Sequence, residues 1–177
     1  MTVPAGWTGL VPPPDPPPDP VDWAAVTRRL GTRLPADYRA YVDTYGLGCV
    51  GGLFWVLHPD GAPDRLNLAD QWAAARDPAA GARLLTAPPY PLGRVPGGLV
   101  PCAVDEDAGL LYWHTGPPDP DRWTVVYRDE DGDSWLPYPL GLVGFLRAVV
   151  TGGLPELGFG AAGYFADGVR FERDPFG

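Results

Sequence analysis

The chain predicts an α+β fold, a single domain with a curved, mostly antiparallel sheet packed against N-terminal and C-terminal helices. Two helix-period segments stand between residues 22 and 46. Short β-branched and aromatic runs, separated by turn residues, fill the stretch from 99 to 136. A strongly apolar helix-period segment follows at 140–151. With 177 residues, 45% of them hydrophobic, the chain can fill one core and is short for two.

Residues 1–20 hold eight prolines, and fixed φ with missing donors favours an extended polyproline II leader set apart from the core. Trp7 is its one residue suited to docking. Asp22 is placed to cap a helix whose Trp23, Val26 and Leu30 share a face, with Gly31 as its stop. A second helix follows Pro35, with Tyr38, Tyr41, Val42 and Tyr45 on one side and Gly46 as its end. Residues 50–58 read as one aromatic strand entered through glycines and stopped by Pro59-Asp60-Gly61. Asn67 then caps a helix over 68–76, and 79–98, rich in Pro and Gly, reads as loop.

Strands are expected at 99–104, 110–114 and 123–128, with a further short one at 134–136. The turns Asp105-Glu106-Asp107-Ala108-Gly109 and Asp131-Gly132 make this a meander. The helix over 140–151 carries Leu142, Phe145, Leu146, Val149 and Val150 on a broad apolar face. The division expected is a leader over 1–20, a main domain over 21–153, and an extension over 154–177 that suits one added hairpin.

The order of these pieces resembles the SUKH superfamily. The residues that carry the likeness are the Trp23 helix, Leu34-Pro35-x-x-Tyr38 with Tyr45-Gly46-x-Gly48, and the aromatic strand. It continues through Val100-Pro101-Cys102-Ala103-Val104-Asp105-Glu106, Gly109, Tyr112-Trp113, Trp123-Thr124-Val125-Val126 and Phe145-Leu146. The resemblance spans residues 21–151 and leaves out the leader and the tail. It implies a non-catalytic immunity-type protein that binds and neutralises a cognate toxin domain, often a nuclease. It also implies that Leu34, Pro35, Tyr38, Tyr45 and Gly46 are structural, and it transfers no catalytic residue. The alternative reading is a regulatory scaffold that recruits a partner through the Pro-rich arm.

A formal net charge of -9 argues against a protein that grips nucleic acid, which needs clustered cations, and favours a basic partner. All 13 cations are Arg, as expected of a GC-rich bacterial genome. Between 105 and 133 lie nine acidic residues against Arg122 and Arg128. If the hairpin turns share one end of the sheet, Asp105, Glu106, Asp107, Asp129, Glu130, Asp131 and Asp133 form a patch that steers a basic toxin domain. Trp113 and Trp135, beside these charges, are the candidate aromatic anchors.

No metal or cofactor is expected. The run from Asp129 has Ser134, not Gly, at the sixth position of a calcium loop. Cys102 and His114 could meet across adjacent strands as a nucleophile and base, though nothing nearby supplies an oxyanion site. Cys49 and Cys102 are expected as reduced, buried thiols, with a single bridge between them left open. No apolar run approaches the roughly 20 residues of a membrane span, so a cytoplasmic protein without membrane contact is expected.

Overall fold

Asp22 caps the helix after it: its carboxylate accepts from the N–H groups of Ala24 (3.0 Å) and Ala25 (2.9 Å), and Gly31 ends the helix at φ 67°. The computed structural model describes residues 3–4, 6–60, 63–76, 86–132, 134–159 and 163–173. Among them are five helices: α1 (Trp7–Leu10), α2 (Trp23–Leu30), α3 (Ala36–Tyr45), α4 (Leu68–Ala74) and α5 (Leu142–Val150). Seven strands form one open antiparallel sheet. They are β1 (Gly48–Val50), β2 (Phe54–Val56), β3 (Leu99–Asp105), β4 (Leu110–His114), β5 (Thr124–Arg128), β6 (Trp135–Tyr138) and β7 (Phe171–Arg173). Their order is β6-β5-β4-β3-β2-β1-β7, so the fold is α+β as the sequence indicates.

Helices α3 and α5 cover one face of the sheet. Tyr38, Tyr41, Val42 and Tyr45 of α3 are all buried, as are Leu142, Phe145, Leu146 and Val149 of α5. Phe145 stacks edge-on against Phe54 at 5.9 Å and lies 5.2 Å from Tyr138, which joins α5 to both halves of the sheet. Asp37 ties the two helices together. Gly141 brings no capping side chain to the start of α5, and the Asp37 carboxylate takes the Val143 N–H at 3.1 Å instead. Leu34 and Tyr38 sit in the core, and the Tyr38 hydroxyl donates to the Leu57 carbonyl at 2.7 Å.

Three expectations need correction. Residues 50–58 are not one strand: Gly51 and Gly52, both at φ 64°, turn the chain between β1 and β2, since paired positive φ values suit a tight hairpin. The leader does not stand clear of the core. Trp7 and Val11 are fully buried, the Tyr45 hydroxyl donates to the Val11 carbonyl at 2.6 Å, and Pro18 lies against Gly46. One indole buries more apolar surface than any other side chain there, so α1 is pulled in while most of 12–20 stays exposed. Among its described residues the tail adds one edge strand, β7, which pairs with β1 from Gly48↔Arg173 to Val50↔Phe171, where an added hairpin was expected.

The second face of the sheet carries the opposite alternation: Trp55, Val104, Leu110, Tyr112, Val126 and Trp135. Leu99, Tyr112 and Val126 make a small cluster there, covered in part by Tyr90 and Leu92. Edge strand β6 contains Pro137, which cannot donate to an added strand. Among the described residues no helix is long and apolar enough to cross a membrane.

Candidate functional site

The meander decides which acidic residues meet. Consecutive antiparallel strands reverse direction, so the β1/β2, β3/β4 and β5/β6 turns all lie at one end of the sheet. Glu106, Asp107, Glu130 and Asp131 are exposed at that end, and the tail adds exposed Asp167. The Tyr164 hydroxyl reaches Asp107 at 3.3 Å, so the tail borders the same surface. Asp119 and Asp121, in the β4/β5 link, lie at the opposite end. They are held by Arg33, at 2.9 Å each, and the Asp121 carboxylate also takes the Ala36 N–H at 2.6 Å.

Two predicted acids are structural. Asp105 is 3% exposed and accepts from the Tyr127 hydroxyl (2.8 Å) and from the N–H groups of Asp107 (3.0 Å) and Gly109 (2.7 Å). Burial raises its pKa, while those hydrogen bonds pull it back down. It fixes the hairpin and is out of a partner's reach. Asp129 is half-buried and takes the Ser134 N–H at 3.2 Å, closing the β5/β6 turn. Asp133 lies outside the described residues.

The aromatic anchors separate. Trp113 is fully buried on the helix face, 5.0 Å from Tyr38 and 6.0 Å from Trp123, so it fills the core and is corrected as a surface anchor. The alternation on β4 puts Leu111 and Trp113 inward and leaves Leu110 and Tyr112 on the second face. Trp135 is half-buried on that second face, 5.5 Å from Tyr112, close to the β5/β6 turn. It remains beside the acidic end.

Trp55 belongs to the site and was not singled out from the sequence. Its indole N–H donates to the Glu106 carboxylate, and with Arg65, Gln71, Val104, Glu106 and Leu110 it lines a cleft of about 340 Å³. The signal was the alternation Phe54-Trp55-Val56, in which the outer two residues are buried and the middle one is not. Beside it, Ala108 adopts φ 71°, a left-handed backbone that costs a residue with a Cβ, in the turn that rims this cleft.

The thiol chemistry does not assemble. A bulge between Pro101 and Ala103 turns Cys102 into the helix-side core, while His114 stacks on Tyr90 at 3.8 Å across the sheet. Burial, with Asp37 nearby, holds the Cys102 thiol well above its usual range, the reverse of an activated nucleophile. Cys49 is buried on the second face, where desolvation and the charges of Glu106 and Glu172 push its thiol up to about 12. Both cysteines are free, so the bridge left open above is absent.

What the arrangement offers is a charged rim beside a half-exposed aromatic face, a combination suited to recognising a cationic surface. Comparison of the chain with protein-family models, with curated proteins and with solved structures gives no match.

Proposed function

We propose that this chain is a SUKH-type immunity protein that neutralises a basic toxin domain by stoichiometric occlusion. The observation that carries the reading is the gathering of Glu106, Asp107, Glu130 and Asp131, exposed, at one end of the sheet. Fields of like sign add at such an end and accelerate encounter with a basic partner. Trp55 and Trp135, half-buried beside it, supply the flat apolar area that a hot spot uses. A toxin whose substrate groove is cationic would meet carboxylates where it expects phosphates.

The regulatory reading, recruitment through the Pro-rich arm, draws less support. Trp7 and Val11 bury one end of that arm and Pro18 rests on Gly46 at the other, so the arm is held against α3.

The test is co-expression of the full chain with the product of the adjacent gene, scoring survival and co-purification at low and high salt. Survival with a salt-sensitive complex is the expected result. Loss of protection and of co-purification together overturns the reading.

A further inference from the structure

The end of the sheet opposite the acidic turns carries a second cleft, of about 220 Å³, and it has the reverse electrostatic character. Its walls include Trp72, Trp123, Pro117 and Val95, with Thr32 and Arg94 at the rim. Trp72 and Trp123 are anchored by their indole N–H groups, which donate to the carbonyls of Pro101 (2.8 Å) and Pro117 (3.0 Å). The aromatic walls are therefore fixed before any ligand arrives. Val95, 44% exposed, is the one large hydrophobic side chain left in solvent among the described residues, and it lies on this cleft.

The guanidinium of Arg94 sits 5.5 Å from the centre of the Trp72 ring, held by a cation–π contact. Arg76 lies beside it, its side chain against Gly93. Neither arginine forms an ion pair with a carboxylate among the described residues, and Asp119 and Asp121, in the link that borders this cleft, are already engaged by Arg33. Desolvation and the neighbouring Arg76 charge lower the pKa of Arg94, as they do for a cation short of an anion. On a chain of formal charge -9, Arg94 on an apolar cleft, with Arg76 near it and neither in an ion pair among the described residues, is a local inversion of sign.

We infer that this cleft binds a peptide segment of a protein partner in which an aromatic or aliphatic residue sits next to a carboxylate, the apolar side chain between Trp72 and Trp123 and the carboxylate on Arg94. The size favours one side chain over a free cofactor, since small-molecule pockets run to roughly 300–1,000 Å³. Charge favours a single carboxylate over a nucleic acid, because a polyanion is repelled by the rest of this acidic surface. Lying at the opposite end of the sheet, the cleft is open while the acidic end is occupied. The inference stands whether or not the immunity reading does.

The test uses the ¹⁵N-labelled full chain and reads the indole N–H resonances. The probes are acetyl-Gly-Phe-Glu-Gly-amide, its Phe-Gln counterpart, and adenosine monophosphate. The Glu peptide is expected to shift Trp72 and Trp123 saturably, leave Trp55 unmoved, and bind about tenfold more tightly than the Gln peptide, the worth of a charge-assisted hydrogen bond. In Arg94→Gln that preference vanishes, while an unchanged resonance of Trp7, buried against Tyr41 and Tyr45 away from the cleft, reports the intact fold. No saturable shift, equal binding of the two peptides, or a preference that survives Arg94→Gln overturns the inference. So does stronger binding of adenosine monophosphate, which would make the ligand a nucleotide.

Discussion

Asp37 shows how one side chain can serve two helices. Its carboxylate is desolvated by burial, which raises its pKa above the ordinary 3.8, against the pull of the Val143 and Tyr38 N–H groups; Asp121 nearby raises it further. A folded-state pKa above the unfolded one means that the native chain holds this proton more tightly. The group's contribution to stability is then fullest below the unfolded value and is lost as pH rises through the folded one. Asp37→Asn keeps an acceptor for Val143 and removes the ionisation. Its stability relative to wild type is therefore expected to rise with pH across the range above the ordinary carboxyl value, as the raised carboxyl ionises. Urea denaturation at intervals across that range checks this, and a constant difference would show that Asp37 is ionised without cost. Asp105, shifted in the same direction by burial, contributes with the same sign in both proteins and cancels.

Among the elements, β7 is the most conditional. It lies alone at the sheet edge, and its pairing with β1 depends on Gly48, where a Cβ would run into the Glu172 carbonyl oxygen and the Phe171 ring. Gly48→Ala therefore has to push β7 away or shift β1. The expected cost is about 1–3 kcal/mol, typical of overpacking. Trypsin should then cut at Arg170 and Arg173 before it cuts elsewhere. Equal resistance of the two proteins would mean that the edge strand adapts without detaching. Helix α1 is the other conditional element. Only four residues long, it has no helical stability of its own, and burial of Trp7 holds it in place.

At the scale of the molecule, charge is divided between two ends. Glu106, Asp107, Glu130 and Asp131 are exposed, and amides at 106 and 107 keep an acceptor for the Trp55 indole and the Tyr164 hydroxyl, so Glu106→Gln, Asp107→Asn, Glu130→Gln and Asp131→Asn together should leave the fold intact. The combined variant is expected to associate with a basic partner about tenfold more slowly at low salt and to match wild type at high salt. Stopped-flow association across a salt series measures this; rates that coincide at every salt would remove the acidic end from recognition. Asp105 and Asp129 are left out of the variant because they hold their turns.

Local chemistry was legible in the chain. Asp22 and Asn67 announced helix starts, Gly31 and Gly46 helix ends, and the alternation on β3, β4 and β5 a meander, because caps, turns and periodicity act over a few residues. That order of elements also made it legible that the β3/β4 and β5/β6 turns would share an end. Tertiary structure alone decided the rest. It turned Trp113 inward and left Trp55 at the surface, since a strand's period says which residues share a face and only packing says which face is covered. It drew Trp7 out of a proline-rich leader, and it brought Arg94 over Trp72. It sent Asp119 and Asp121 to Arg33 at the far end, separating charges that lie close in sequence. Contacts between residues distant in the chain depend on how the elements close on one another, and local sequence carries no record of that closure.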